Sequence, residues 1–164
     1  MSNLSQLKVC FLAGTLGQGG AERQLYHILQ ALRQSGARPR VLCLGQNEFW
    51  EDRIQALGVA VILAELRQDA PEIIQSQHFY LNAYAAAAAR VLGVASIGAM
   101  RSNGRMEQLD CGPVGGWLNL HTPRLLAANS QAALRYAAKQ RVPAERLFLL
   151  ANVVDTDGFR PPTS

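Results

Sequence analysis

The 164 residues predict an α/β fold, a doubly wound and mostly parallel sheet of about seven strands with helices on both faces. Three observations lead there. Short apolar runs recur along the chain and are near-continuous rather than alternating, as parallel strands covered on both faces require. Amphipathic stretches of helical period separate them, so the pattern repeats as β-α-β units. The length suits a single domain with a sizeable core.

The strand candidates are residues 7–13 (LKVCFLA), 38–45, 59–65, 72–77, 94–100, 124–130 and 146–152. A first helix over 20–35 carries Leu25, Ile28, Leu29 and Leu32 on one stripe, and Gly36 supplies its stop. A second is expected over 47–57, with Asn47 as its N-cap. Residues 80–93 (YLNAYAAAAARVLG) hold five consecutive alanines, which favour helix and let it lie close on a sheet; Gly93 ends it. A fourth helix runs from Ser130 to Gln140, with Asn129 and Ser130 as capping residues and Pro143 blocking continuation. Two places strain the pattern. Only residues 66–71 separate the third and fourth strands, shorter than a usual crossover. Residues 101–123 read as a long glycine-rich loop, only weakly helical near 114–121.

Composition excludes several classes. With 49% hydrophobic and 17% charged residues the chain reads as an ordinary soluble protein, and no apolar run approaches the ~20 residues of a membrane span. The start, MSNLSQLK, lacks a signal-peptide layout. The cysteines (Cys10, Cys43, Cys111) are odd in number and show no metal-ligand spacing, which fits a reducing cytoplasm. The net charge of +4 comes from scattered arginines without aromatic interleaving, so no nucleic-acid surface is expected. A basic face toward anionic lipid, hence peripheral contact with the inner membrane face, stays open beside a plain solvated surface.

The stretch GTLGQGG, residues 14–20, joins the first strand to the first helix. Such a turn lies at the carboxyl ends of the strands, where helix N-terminal amides attract anions. A close-packed turn with no chemistry explains the glycines equally well. The dinucleotide spacing fails, because counting from Gly17 puts Glu22 where the third glycine belongs. A P-loop fails for want of lysine and hydroxyl after Gly20, and no G-x-S-x-G elbow occurs anywhere.

Residues 7–36, with their GGAE turn, resemble the amino-terminal signature of retaining, nucleotide-sugar-dependent glycosyltransferases of the GT-B fold, the group 1 or family 4 enzymes. The resemblance continues at APEIIQSQ, at ARVLGVASIGAMRSN, at LAANSQA and at LLANVVDTDGFRP, in the family's order and across residues 7 to 161. Departures are Ala151 and Val153 in place of proline and glycine, Glu72 for the usual aspartate, and Gln77 where many members have histidine, with His78 one position later.

The resemblance implies a Rossmann-like acceptor-side domain over 1–160, an inter-domain linker beginning at 161–164, and a separate carboxy-terminal domain that binds most of the donor. That domain's pair of glutamates eight positions apart is absent, since no two of the seven glutamates here are so spaced. The implied activity is hexosyl transfer with retention from a nucleotide sugar to a glycan, lipid or small-molecule acceptor, without a metal or other cofactor. The isolated piece is expected to be silent. Gly17, Gly19, Gly20 and Ala21 form the implied donor-phosphate loop. Gln77, Arg101 and Trp117 are acceptor-side candidates, His78 and Arg101 weak catalytic ones, and Asn152 a hinge. Each has a plainer explanation: the helix dipole suffices for Glu22, a satisfied interior histidine for His78, a surface ion pair for Arg101 and core packing for Trp117. A binding module without transfer activity and a sugar-nucleotide epimerase are the rival readings.

Overall fold

The computed structural model describes residues 5–43, 45, 47–62 and 71–153. Seven parallel strands form one sheet: β1 (Lys8–Ala13), β2 (Arg38–Cys43), β3 (Ala60–Ile62), β4 (Ile73–Ser76), β5 (Ala95–Met100), β6 (Leu125–Ala128) and β7 (Leu147–Leu149). Their order is β3-β2-β1-β4-β5-β6-β7, so the winding reverses between β1 and β4. All seven strand expectations are met. The short link expected at 66–71 falls almost wholly outside the described residues, as does the proline-rich tail.

The strands read as continuous apolar runs because both faces are covered. In β1, Val9, Phe11 and Ala13 pack with Leu25 and Leu29 of α1 (Gly20–Gln34) and Ile54 of α2 (Glu51–Ala56). The alternate residue Cys10 packs with Ile74, Ala85 and Ala89, the last two from α3 (Asn82–Leu92). Helix α1 follows the expected stripe. Gly93 ends α3 in the left-handed conformation, φ 70°. The alanines let α3 sit directly on β1 and β4, with Ala85 and Ala89 essentially inaccessible.

Three expectations are corrected. Asn47 does not cap α2; it lies four residues before the helix begins at Glu51, adopts φ 56°, and its N–H donates to Glu51 Oε2 at 2.7 Å. Asn129 does not share the capping of α6 (Gln131–Lys139): Ser130 Oγ alone accepts the Ala133 N–H, at 3.2 Å, while Asn129 donates its amide to the Arg101 carbonyl at 2.6 Å. The supposed loop 101–123 is two helices, α4 (Gly104–Asp110) and α5 (Gly112–His121). Asn103 caps α4 by accepting the Arg105 N–H, and Pro113 opens α5. Its glycines serve packing. A β-carbon on Gly104 would strike Met100 and Tyr136, and one on Gly116 the Gln108 carbonyl.

A buried polar hub ties this half to the sheet. Asn82, wholly buried at the start of α3, accepts the Ala99 N–H at 2.8 Å and the Ser76 hydroxyl at 2.5 Å. Its amide donates to the carbonyls of Ala99 and Asn119. Every polar atom of that side chain is engaged, so burial costs it little. Among the described residues no helix is long and apolar enough to cross a membrane.

The fit of α3 on the sheet gives a stability prediction. Ala89→Leu forces extra volume between α3 and the sheet and is expected to cost about 1–3 kcal/mol in urea unfolding. An unchanged midpoint would mean that the alanines are not set by close approach.

Candidate functional site

The glycine stretch leaves the carboxyl end of β1, and three side chains turn part of its backbone inward. The Gly14 N–H donates to His78 Nδ1 at 3.3 Å. The Leu16 N–H donates to Glu48 Oε2, and the Thr15 hydroxyl to Glu48 Oε1 at 2.6 Å. Thr15 Oγ1 in turn accepts the Gly17 N–H at 3.0 Å. The Trp50 N–H closes the arrangement on the Leu16 carbonyl at 2.9 Å. Burial works to raise the pKa of Glu48, but the bonds from Thr15, Leu16 and Cys43 and the nearby His78 outweigh it and hold it low. Cys43 is displaced the other way, to about 11, chiefly by burial, with the Glu48 charge adding to it.

The next amides have another orientation. Gly19 is the N-cap of α1 with an extended backbone and no side chain to offer; Gly20, Ala21 and Glu22 are its first helical residues. Helix geometry provides no acceptor for those N–H groups. A cavity of about 360 Å³ lies beside them, lined by Gln18, Gly19, Gly20, Arg23, Phe49 and Trp50. Arg53 lies over the Phe49 ring at 4.4 Å and the Trp50 ring at 5.0 Å, holding that wall in place. The glycines differ in what they permit. A β-carbon on Gly19 would collide with the Glu22 carboxylate and one on Gly14 with the Tyr80 hydroxyl, whereas one on Gly20 would meet nothing within 4 Å beyond its own turn.

His78 joins the loop to the helix. Its Nδ1 accepts from Gly14, so the ring proton sits on Nε2 and is donated to Glu22 Oε1 at 3.1 Å. The ring stacks on Tyr80, centroids 5.3 Å apart. Both nitrogens are therefore occupied. Glu22, 5% exposed, does more than answer the helix dipole: it bolts the first turn of α1 to the end of β4. Gln77 supports the same turn from below. It is wholly buried and donates to the Ala21 carbonyl at 2.5 Å, which leaves no surface for a ligand to touch.

The remaining candidates lie apart. Arg101 follows the last residue of β5 and lines a second cavity, shared with His78. Trp117 is half-exposed on α5 against His121, at 5.1 Å, on the stretch leading to the amino end of β6. Burial, with Arg146 nearby, lowers the pKa of His121. Asn152 is exposed in the exit segment. That segment is pinned at both ends: Leu150 N–H donates to Ala128, and Val153 exchanges two hydrogen bonds with the buried Gln24 of α1, at 2.6 and 2.7 Å. Sequence reading missed Glu48, Gln24 and Tyr80. Glu48 sits where a helix start was expected, and Gln24 is a polar residue on a helix with no motif around it.

The family model described as Glycosyltransferase Family 4 matches residues 18–158. No curated protein sequence matches. Among solved structures, Anabaena Alr3699/HepE in complex with UDP and glucose superposes at TM-score 0.73 with 20% identity, over 93% of this chain and 46% of that one. The lipopolysaccharide outer core galactosyltransferase WaaB, apo form, gives 0.65 and 13%, over 90% and 46%. A UDP-N-acetylglucosamine 2-epimerase from Rickettsia bellii gives 0.61 and 17%, over 90% and 45%. The chain thus spans about half the length of these structures and shares the fold of that half.

The inward clamp makes a pH prediction. A carboxylate whose folded pKa is lowered stabilises the fold fully above its ordinary value of 4.5 and loses that contribution as pH falls through the folded value. Glu48→Gln should therefore lower stability at neutral pH, with the gap to the parent closing in acid. Amide hydrogen exchange should quicken at Leu16. Parallel stability profiles at every pH would rule the clamp out.

Proposed function

The chain belongs to Glycosyltransferase Family 4, and on that premise we propose that it forms the acceptor-side half of a nucleotide-sugar-dependent transferase. The observation that carries the reading is the divided loop. Leu16 and the residues before it are fixed inward, while Gly19 and Gly20, at the start of α1 where helix geometry supplies the amides no acceptor, line a cavity. Donors fixed in advance and aimed at developing charge suit a departing diphosphate, and a helix N-terminus adds its dipole. The solved complexes of HepE with UDP and with UDP-glucose support a UDP-sugar as the donor class.

In this reading a second domain carries most of the donor, and the loop meets the diphosphate when the two close. Transfer proceeds with retention: leaving group and entering hydroxyl occupy one face of the hexose, and the bare glycines let the backbone approach both. No metal or other cofactor takes part. The acceptor is a glycan, a lipid or a small molecule, and a cytoplasmic enzyme with a lipid acceptor works at the inner membrane face. His78 is a positioning residue for the loop, and Asn152 lies in the hinge between two anchored points. The epimerase likeness favours a second reading, in which the same loop holds the diphosphate of a UDP-sugar that is isomerised rather than transferred.

Gly20 gives the test, because a side chain there fits this half without collision. Gly20→Val should leave the fold and melting temperature of the 164-residue chain unchanged. In a protein carrying both halves it should lower turnover about 10²-fold, the size of effect that follows loss of a preorganised donor. Full activity would reduce the loop to a turn. Product analysis with a UDP-hexose separates the readings: release of UDP with a new glycoside supports transfer, an epimeric UDP-sugar the alternative. For the 164-residue chain alone, calorimetry should find weak or no binding of UDP-sugars, and micromolar affinity would place the donor site on this half.

A further inference from the structure

The second cavity, about 340 Å³, opens at the carboxyl ends of β4 and β5 and is walled by His78, Phe79, Tyr80, Arg101, Glu107, Asp110 and Cys111. Arg101 is the cation in that wall. A guanidinium stays charged at any pH a protein experiences, and a largely buried one costs free energy unless its donors are used. Here they are not. Arg101 Nε and Nη2 are buried with no hydrogen-bond partner. These two nitrogens form one edge of the planar group, the edge that takes both oxygens of a carboxylate or phosphate at once.

The fold has a carboxylate at hand and directs it elsewhere. Glu107 Oε1 accepts the backbone N–H of Arg101 at 3.1 Å, and Glu107 Oε2 has no partner. Burial raises the Glu107 pKa against the pull of the backbone amides and of Arg101, which moves that group toward its neutral form. Asp110 is exposed at the rim, where solvent screens it. Because Nε and Nη2 have no bonds to lose, the guanidinium can turn into the cavity on its flexible stem without breaking any.

Resting on the transferase reading above, we propose that this cavity is the acceptor subsite and that the acceptor carries an oxyanion, phosphate or carboxylate, seated on Arg101. The strand order sets the geometry. The glycine loop follows β1, His78 follows β4 and Arg101 follows β5, so an anion on Arg101 anchors the acceptor two strands from the amides at Gly19 and Gly20, with β4 between. The two negative groups of the reaction, diphosphate and acceptor oxyanion, are thereby held on separate cradles with the His78–Glu22 contact between them.

The test is a titration of the 164-residue chain with glucose phosphate, glucuronate and glucose, followed by NMR of the arginine Nε–H signals. At least one acid should bind about tenfold or more tighter than glucose and move the Arg101 signal; comparing the two acids tells phosphate from carboxylate. Arg101→Met should abolish the preference. Glu107→Gln should leave it in place, because the amide oxygen still accepts the Arg101 N–H. Should Arg101→Met fail to fold, Arg101→Lys takes its place and should weaken binding while keeping some preference for acids. Equal binding of glucose, a preference that survives loss of Arg101, or no binding of either acid would overturn the proposal. The transferase reading is judged separately, by UDP release in a protein carrying both halves.

Discussion

The carboxyl edge of the sheet depends on how one loop distributes its amides. The six residues between β1 and α1 contain three glycines, a fourth opens α1, and such a sequence has no conformation of its own. The conformation comes from outside the loop. Glu48, five residues beyond β2, takes Leu16 and Thr15; His78, just after β4, takes Gly14. The two clamps arrive from the strands on either side of β1, so the loop is held only when β2 and β4 both stand in register with it. Local flexibility is thus turned into a fixed amide surface by long-range pairing.

The same logic extends outward along the edge. The sheet reverses its winding between β1 and β4, the place where an open α/β sheet leaves a crevice. Asn82 fastens α3 and α5 to β4 and β5, which steadies the segment carrying His78 and Tyr80. On the far side the chain leaves β7 and is returned to α1, where Gln24 captures Val153 through both its amide atoms. The exit of the domain is therefore referenced to the helix whose N-terminus borders the first cavity. Any body attached beyond Val153 inherits that reference.

Most of the fold was legible in the sequence because it is written in hydrophobic period. Runs such as LKVCFLA could only be strands buried on both sides, and Val9, Phe11 and Ala13 against Cys10 show why alternation was missing. Residues 101–123 were misread for a physical reason. Gly104 and Gly116 look like loop formers, yet each is glycine because another element passes too close for a β-carbon. Sequence alone does not distinguish glycine chosen for turning from glycine chosen for contact. The site was legible as a loop and a family pattern, but its clamps were not. Glu48, Gln24 and Gln77 are polar residues whose partners lie far along the chain, and no local period marks them.

That division between readable and unreadable bears on how the site works. Along the edge the order is the Phe49–Trp50 wall, the glycine loop, the His78–Glu22 contact and then Arg101. The loop with its bolt is the partition between two cavities of similar size. A histidine with both nitrogens committed cannot act as a free base without giving up Gly14 or Glu22, and giving up either loosens the partition. Tyr80 makes the coupling physical, since its ring stacks on His78 while its hydroxyl occupies the space above Gly14. Displacing Tyr80 would therefore disturb both the stack on His78 and the cover over Gly14, where the glycine loop begins.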